Sequence, residues 1–191
     1  MARRDFSGKV ILITGAAGGL GAALCHRFAA AGAHIAAMDL DATRLQDLVA
    51  TLPAGTLSIA GNIADPAACQ AAIDQTVAHF GALDGLINNA GISHRSLFLD
   101  TDPAVIRRVM EVNFFGAMQM THAALPHLIE TRGAVAAISS VAGYAPLLGR
   151  AGYCASKHAL LGFFDTLRSE VEDLGVGVTL ICPSFIATGI G

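Results

Sequence analysis

Tyr153 and Lys157 stand four residues apart in Tyr-Cys-Ala-Ser-Lys, thirteen residues after Ser140. On a helix, residues four apart share a face. A free Tyr phenol titrates at about 10, too high for an efficient base at neutral pH. An ammonium beside it favours the phenolate. The pair therefore reads as a proton-transfer group with its cation, and Ser140 as a hydroxyl that holds a carbonyl oxygen. Ser139 is its rival. Taken alone, a Tyr-x-x-x-Lys pair is most often a helix surface. Its weight comes from a second feature far upstream, Thr14-Gly-Ala-Ala-Gly-Gly-Leu-Gly21. Glycines there allow a tight turn, close approach of backbone to a pyrophosphate, and packing of helix on strand. A helix opening at this turn offers free N–H groups and a positive dipole end. The two features together suit transfer of a hydride and a proton between a nicotinamide and an alcohol or ketone.

Asp39 follows Gly21 by eighteen residues and ends an apolar run. A carboxylate there accepts hydrogen bonds from ribose 2′- and 3′-hydroxyls and repels a 2′-phosphate. Ala16, Ala17, Gly18 and Leu40 supply no cation to welcome that phosphate. NAD is the expected cofactor, with NADP disfavoured.

These residues need a scaffold, and the chain alternates short apolar runs with helical patterns. Strands are expected at residues 9–13, 34–38, 56–59, 85–88, 134–138 and 177–182. Helices are expected at 19–31, 42–50, 66–80, 103–130 and 152–174. Asp41 is a good N-cap, and Pro66 and Pro103 suit the first helical position. Six strands alternating with helices imply an α/β, Rossmann-like, doubly wound parallel sheet with helices on both faces. Residues 1–191 read as one domain.

Composition sets the outer limits. The chain has 191 residues, 53% of them apolar and 14% charged, with a net charge of -3. That suits a closely packed globular core and disfavours nucleic acid as a partner. No apolar run reaches the roughly 18 residues that would span a membrane, and the first apolar run is too short for a signal-peptide core. The expectation is a cytoplasmic protein with no membrane partner. Cys25, Cys69, Cys154 and Cys182 are scattered, so no metal is expected. Cys154, beside Tyr153, reads as a small reduced core residue more readily than as a redox sensor.

The motifs resemble those of the short-chain dehydrogenase/reductase family, over essentially the whole chain. Thr14 to Gly21 is similar to its cofactor fingerprint, which implies that Gly15, Gly18, Gly19, Leu20 and Gly21 bind the dinucleotide. Asn88-Asn-Ala-Gly91 resembles the motif after its fourth strand, implying that Asn89, Ala90 and Gly91 line the adenosine side. Asn113, Ser140, Tyr153 and Lys157 fall on its catalytic tetrad in order and spacing. The resemblance implies that Lys157 holds the nicotinamide ribose and that Asn113 holds a water relaying protons from Lys157 to solvent. Asn62, followed by Ile63, stands where many members carry Asp beside the adenine. Pro183 to Thr188 resembles a Pro-Gly-x-x-x-Thr segment, with Ser184 in place of Gly, so Ile186 and Thr188 are implied contacts of the nicotinamide carboxamide and phosphate. Family members usually continue further, so a substrate lid and a seventh strand are expected to be missing from these 191 residues.

The substrate pocket is expected beyond Gly91 and in the loop 141–152. Ile92, His94, Tyr144, Ala145, Leu147 and Leu148 are mostly apolar. They suggest a neutral, fairly apolar alcohol or ketone, with His94 a wall residue rather than a second acid/base. A nucleotide-binding regulatory or scaffold protein on the same fold is the alternative. An epimerase or dehydratase would need a larger substrate domain. Leu160, Leu161, Phe163, Phe164 and Leu167 exceed what one buried stripe needs. With the resemblance, they imply a homodimer or homotetramer built on helices 103–130 and 152–174.

Overall fold

A computed structural model describes residues 5–184. Six parallel strands form one sheet in the order β3-β2-β1-β4-β5-β6. They are β1 (Val10–Thr14), β2 (His34–Asp39), β3 (Leu57–Ala60), β4 (Gly85–Asn88), β5 (Ala134–Ile138) and β6 (Gly177–Ile181). The chain begins at the sheet centre and winds outward first one way, then the other. The reversal falls between β1 and β4, where an open parallel sheet leaves a crevice at the carboxyl ends of its strands.

Period-two burial fixes both faces. Val10 and Leu12 of β1 join one apolar cluster, while Ile11 and Ile13 join the other. Helices α1 (Gly19–Ala29) and α2 (Ala42–Val49) cover the second face through Cys25, Leu45 and Leu48. Helices α3 (Pro66–Phe80), α5 (Gly116–Thr131) and α6 (Ala151–Val171) cover the first. Both faces are apolar because both are covered, which is why the central strands read as continuous apolar runs.

The local signals act as their chemistry requires. Asp41 accepts from Arg44 N–H at 3.0 Å, and Asp65 from Ala67 N–H at 2.9 Å. Asp102 accepts from Ala104 N–H at 2.8 Å to start α4 (Pro103–Met110). The single helix expected over 103–130 is instead three segments. A π-helical stretch at Glu111–Phe115 separates α4 from α5. Sequence periodicity does not register one extra residue in a continuous helix, and a π segment is such an insertion. It carries Asn113.

Candidate active site

A cleft of about 790 Å³ opens at the carboxyl edge of the sheet. Its size falls within the range of small-molecule and cofactor sites. At one end stands the Gly-rich turn. Gly15 has φ +63, and a Cβ there would lie 2.7 Å from Ala90 Cα, so only glycine lets the turn meet the end of β4. At Gly21 a Cβ would lie 2.1 Å from the Gly15 carbonyl oxygen. Gly18 begins α1 without a side-chain cap. The helix N-terminus therefore faces the cleft with backbone N–H groups free for an anion. Gly15, Gly18, Gly19, Leu20 and Gly21 all line it.

The motif after β4 is a buckle for this turn. Asn89 donates through Nδ2 to the carbonyls of Thr14 and Gly15, both at 3.0 Å. The Thr14 hydroxyl accepts from the N–H groups of Asn89 and Ala90, each at 3.1 Å. Thr14 is buried, and its part in this buckle was not foreseen from the sequence. Asn89, Ala90 and Gly91 line the cleft. Asn88, just before them, turns inward to donate to Thr121 at 2.9 Å.

Asp39 sits at the end of β2. Its carboxylate accepts from Ala17 N–H at 2.9 Å and from Asp41 N–H at 3.0 Å. Arg44 lies five residues beyond Asp39, outside the positions Ala16, Ala17, Gly18 and Leu40 where the sequence shows no cation. It reaches across from α2 to the Ala17 carbonyl at 3.1 Å and lines the same wall. Asn62 and Ile63 also line the cleft, with the Asn62 side chain accepting from Ala64 N–H at 3.0 Å.

The other end holds Ser140, Tyr153 and Lys157. Lys157 is 5% exposed. Its ammonium donates to the Ile138 carbonyl at 2.8 Å and lies 5.7 Å from the Tyr153 ring centroid. Burial pushes its pKa down to about 8, with Cys182 acting in the opposite sense. Ser140 accepts from Ala142 N–H at 3.1 Å, so its hydroxyl proton remains available to a ligand. Ser139, the rival, donates instead to the Lys157 carbonyl at 3.1 Å and braces α6.

Asn113 is 1% exposed and lies behind this group. It accepts from Ile92 N–H at 2.8 Å and donates to the Ile92 carbonyl at 2.9 Å and the Ser156 hydroxyl at 2.9 Å. Ser156 in turn donates to the Tyr153 carbonyl at 2.8 Å. The π segment thus holds together the strand-end loop and the helix carrying Tyr153. Ser156 had a legible signal, since it lies between Tyr153 and Lys157 and three residues after the former. Arg150 did not. Its guanidinium lies 6.0 Å from the Tyr153 ring centroid and donates to the Ser93 hydroxyl, across a sequence gap of 57 residues. Tyr144 and Leu148 are exposed at 62% and 89%, and His94 does not line the cleft. Ile186 and Thr188 lie outside the described residues. Among the described residues no cluster of His, Cys, Asp and Glu could hold a metal ion.

Sheet order, glycine turn and cleft define a Rossmann-type dinucleotide-binding domain. The chain belongs to the short chain dehydrogenase family, whose sequence model matches residues 9–191. It is 42% identical over 191 residues to dehydrogenase/reductase SDR family member 7B of Bos taurus, covering 95% of this chain and 59% of that protein. It is 38% identical over 189 residues to 11-beta-hydroxysteroid dehydrogenase-like 2 of Arabidopsis thaliana, covering 96% and 61%. The chain thus spans about three fifths of the length of these relatives. Among solved structures, it resembles a short chain dehydrogenase/reductase from Burkholderia phymatum in complex with NAD. The TM-score is 0.93 at 29% identity, covering 98% of this chain and 69% of that one. It also resembles 3-ketoacyl-(acyl-carrier-protein) reductase from Brucella melitensis complexed with NADH. There the TM-score is 0.94 at 28% identity, covering 97% and 79%.

Proposed function

We propose that this chain is the cofactor-binding and catalytic domain of an oxidoreductase acting between NAD(H) and a fairly apolar alcohol or ketone. The observation that carries this reading is the buried Lys157 ammonium, packed near the Tyr153 ring in a cleft that also holds an uncapped helix N-terminus. A dinucleotide fits the residues present. Gly15 and Gly21 let the turn pack closely on the end of β4 and the start of α1, α1 offers N–H donors to a pyrophosphate, and Asp39 offers lone pairs to a ribose. Asn62, Ile63, Asn89, Ala90 and Gly91 line the path between these ends. Ile186 and Thr188 complete the nicotinamide end in this reading. Similarity to proteins solved with NAD and NADH supports it.

The bound nicotinamide supplies the hydride acceptor in oxidation and the hydride donor in reduction. Tyr153 exchanges a proton with the substrate oxygen: its phenolate takes the alcohol proton, or its phenol gives one to a forming alkoxide. Ser140 donates its free hydroxyl proton to that oxygen and holds it near Tyr153. Lys157 favours the phenolate by its charge and directs its remaining N–H donors to the nicotinamide ribose. Asn113 fixes the loop that faces Tyr153 and stands on the relay by which Lys157 exchanges protons with solvent.

Asp39 sets NAD over NADP. Its two oxygens are ordered by backbone N–H groups but keep lone pairs for ribose hydroxyls. Arg44 beside it partly offsets the repulsion of a 2′-phosphate. Titration with each cofactor is expected to show tighter binding of NAD by roughly tenfold or more. Asp39→Ala is expected to reverse that order, because Arg44 remains. Wild-type preference for NADP overturns the assignment. The reaction itself is tested by following NADH at 340 nm across alcohols and ketones. No turnover of any member refutes the enzyme reading in favour of a regulatory nucleotide-binding domain.

No helix among the described residues is long and apolar enough to cross a membrane, and a cytoplasmic location belongs to the proposal. So does a homodimer or homotetramer assembled through α4–α5 and α6.

A further inference from the structure

The substrate end of the cleft is walled by Ile92, Val141 and Leu147, with two cations beside Tyr153: the buried Lys157, which donates to the Ile138 carbonyl, and Arg150. Arg150 is half-buried. Its backbone is fixed at the start of α6, where its carbonyl accepts from Cys154 N–H at 2.8 Å and its N–H donates to Leu147 at 3.2 Å. Its guanidinium gives one donor to Ser93 and forms no ion pair among the described residues. Glu111 also lines the cleft but does not pair with it. A guanidinium has five N–H donors in a fixed fork that matches a carboxylate. Half-buried against apolar walls, it keeps N–H donors that neither Ser93 nor the Tyr153 ring engages.

We infer that Arg150 is the anchor for a carboxylate on the substrate, so that the enzyme acts on an apolar oxo acid or hydroxy acid rather than on a neutral ketone. The inference rests on the oxidoreductase reading and sharpens its substrate class. The carboxylate meets the Arg150 fork while the reacting carbonyl lies at Tyr153 and Ser140. Arg150 lies over the Tyr153 ring, so the two groups of one small molecule can reach both. The apolar walls take the chain between them. Sequence proximity alone did not disclose this, because Arg150 reaches the cleft through a helix start and a contact with Ser93.

The test uses the full chain with saturating NADH. Straight-chain methyl-ketone acids of five to seven carbons are compared with their methyl esters, which keep shape and lose the charge. Both kcat/KM and calorimetric dissociation constants are measured. Wild type is expected to favour at least one acid over its ester by on the order of 10-fold or more. Arg150→Gln keeps a donor for Ser93 and is expected to bring the ratio of acid to ester close to one, chiefly through KM. Arg150→Lys is expected to fall between them. Equal use of acid and ester by wild type, an unchanged ratio in Arg150→Gln, or binding of neither class overturns the anchor. Binding of acid over ester that Arg150→Gln abolishes, without NADH oxidation, supports the anchor while refuting the hydride-transfer reading. Turnover of esters and acids alike does the reverse.

Discussion

Lys157 carries the strongest electrostatic signature in the cleft. Burial lowers its pKa from the ordinary lysine value of 10.5 to about 8. Between those two values the unfolded chain binds the proton that the folded chain has released. Stability contributed at this site therefore rises with pH across the window from about 8 to about 10.5. Below it the buried charge costs stability in full. Lys157→Met removes the group, so the variant's advantage over wild type is expected to be largest below pH 8. It should shrink by on the order of 2 kcal/mol by about pH 10. Urea unfolding of both proteins at several pH values measures this, and a constant difference refutes the burial argument. At this scale the sequence was legible where chemistry is local. The four-residue step from Tyr153 to Lys157 places both on one helical face, and the structure brings both to the cleft. Arg150 with Ser93, and Arg44 with Ala17, were illegible because each pair joins different elements.

The elements hold those residues by hydrogen bonds that cross between them. Asn113 satisfies both backbone groups of Ile92 and reaches Ser156. Asn113→Ala is expected to cost about 2–3 kcal/mol, since it strands part-buried donors and acceptors. It should also slow turnover by loosening the loop against α6. Denaturant midpoints and kcat check the two effects, and an unchanged midpoint contradicts the clasp. Gly21 makes a parallel case for the turn. A methyl there meets the Gly15 carbonyl oxygen, so Gly21→Ala must part helix from turn. The expected result is a loss of about 1–3 kcal/mol together with weaker NAD binding. Boundaries of the strands and capped helices follow from apolar runs and from Asp41, Asp65 and Asp102. The π segment does not, because its extra residue leaves the apolar pattern of 103–130 looking continuous. Strand β1 includes Thr14, which the sequence reading left to the turn. Its hydroxyl belongs to β1's junction with β4 rather than to a loop.

For the whole molecule, alternation of strand and helix was enough to give a doubly wound sheet, and the strand order supplies the crevice. The surplus of apolar residues on α6 is smaller than the sequence suggests. Leu160, Phe164 and Leu167 are buried in the core, leaving Leu161 and Phe163 half-buried at the surface. Phe163 meets Phe114 edge-on at 5.9 Å, and Phe115 is 37% exposed. This aromatic strip is where a second copy is expected to pack. Light scattering over a range of concentrations should give a dimer or tetramer mass, and Phe163→Glu should lower it. A monomer at every concentration contradicts that interface. The central claim, that a cleft able to hold NAD uses Tyr153 to move the substrate proton, has a more direct test. Turnover and NAD affinity are compared in wild type and Tyr153→Phe, which keeps the ring and loses only the hydroxyl. The account predicts turnover reduced by roughly 10²–10⁴-fold with the NAD dissociation constant nearly unchanged. Equal turnover in the two proteins would contradict it.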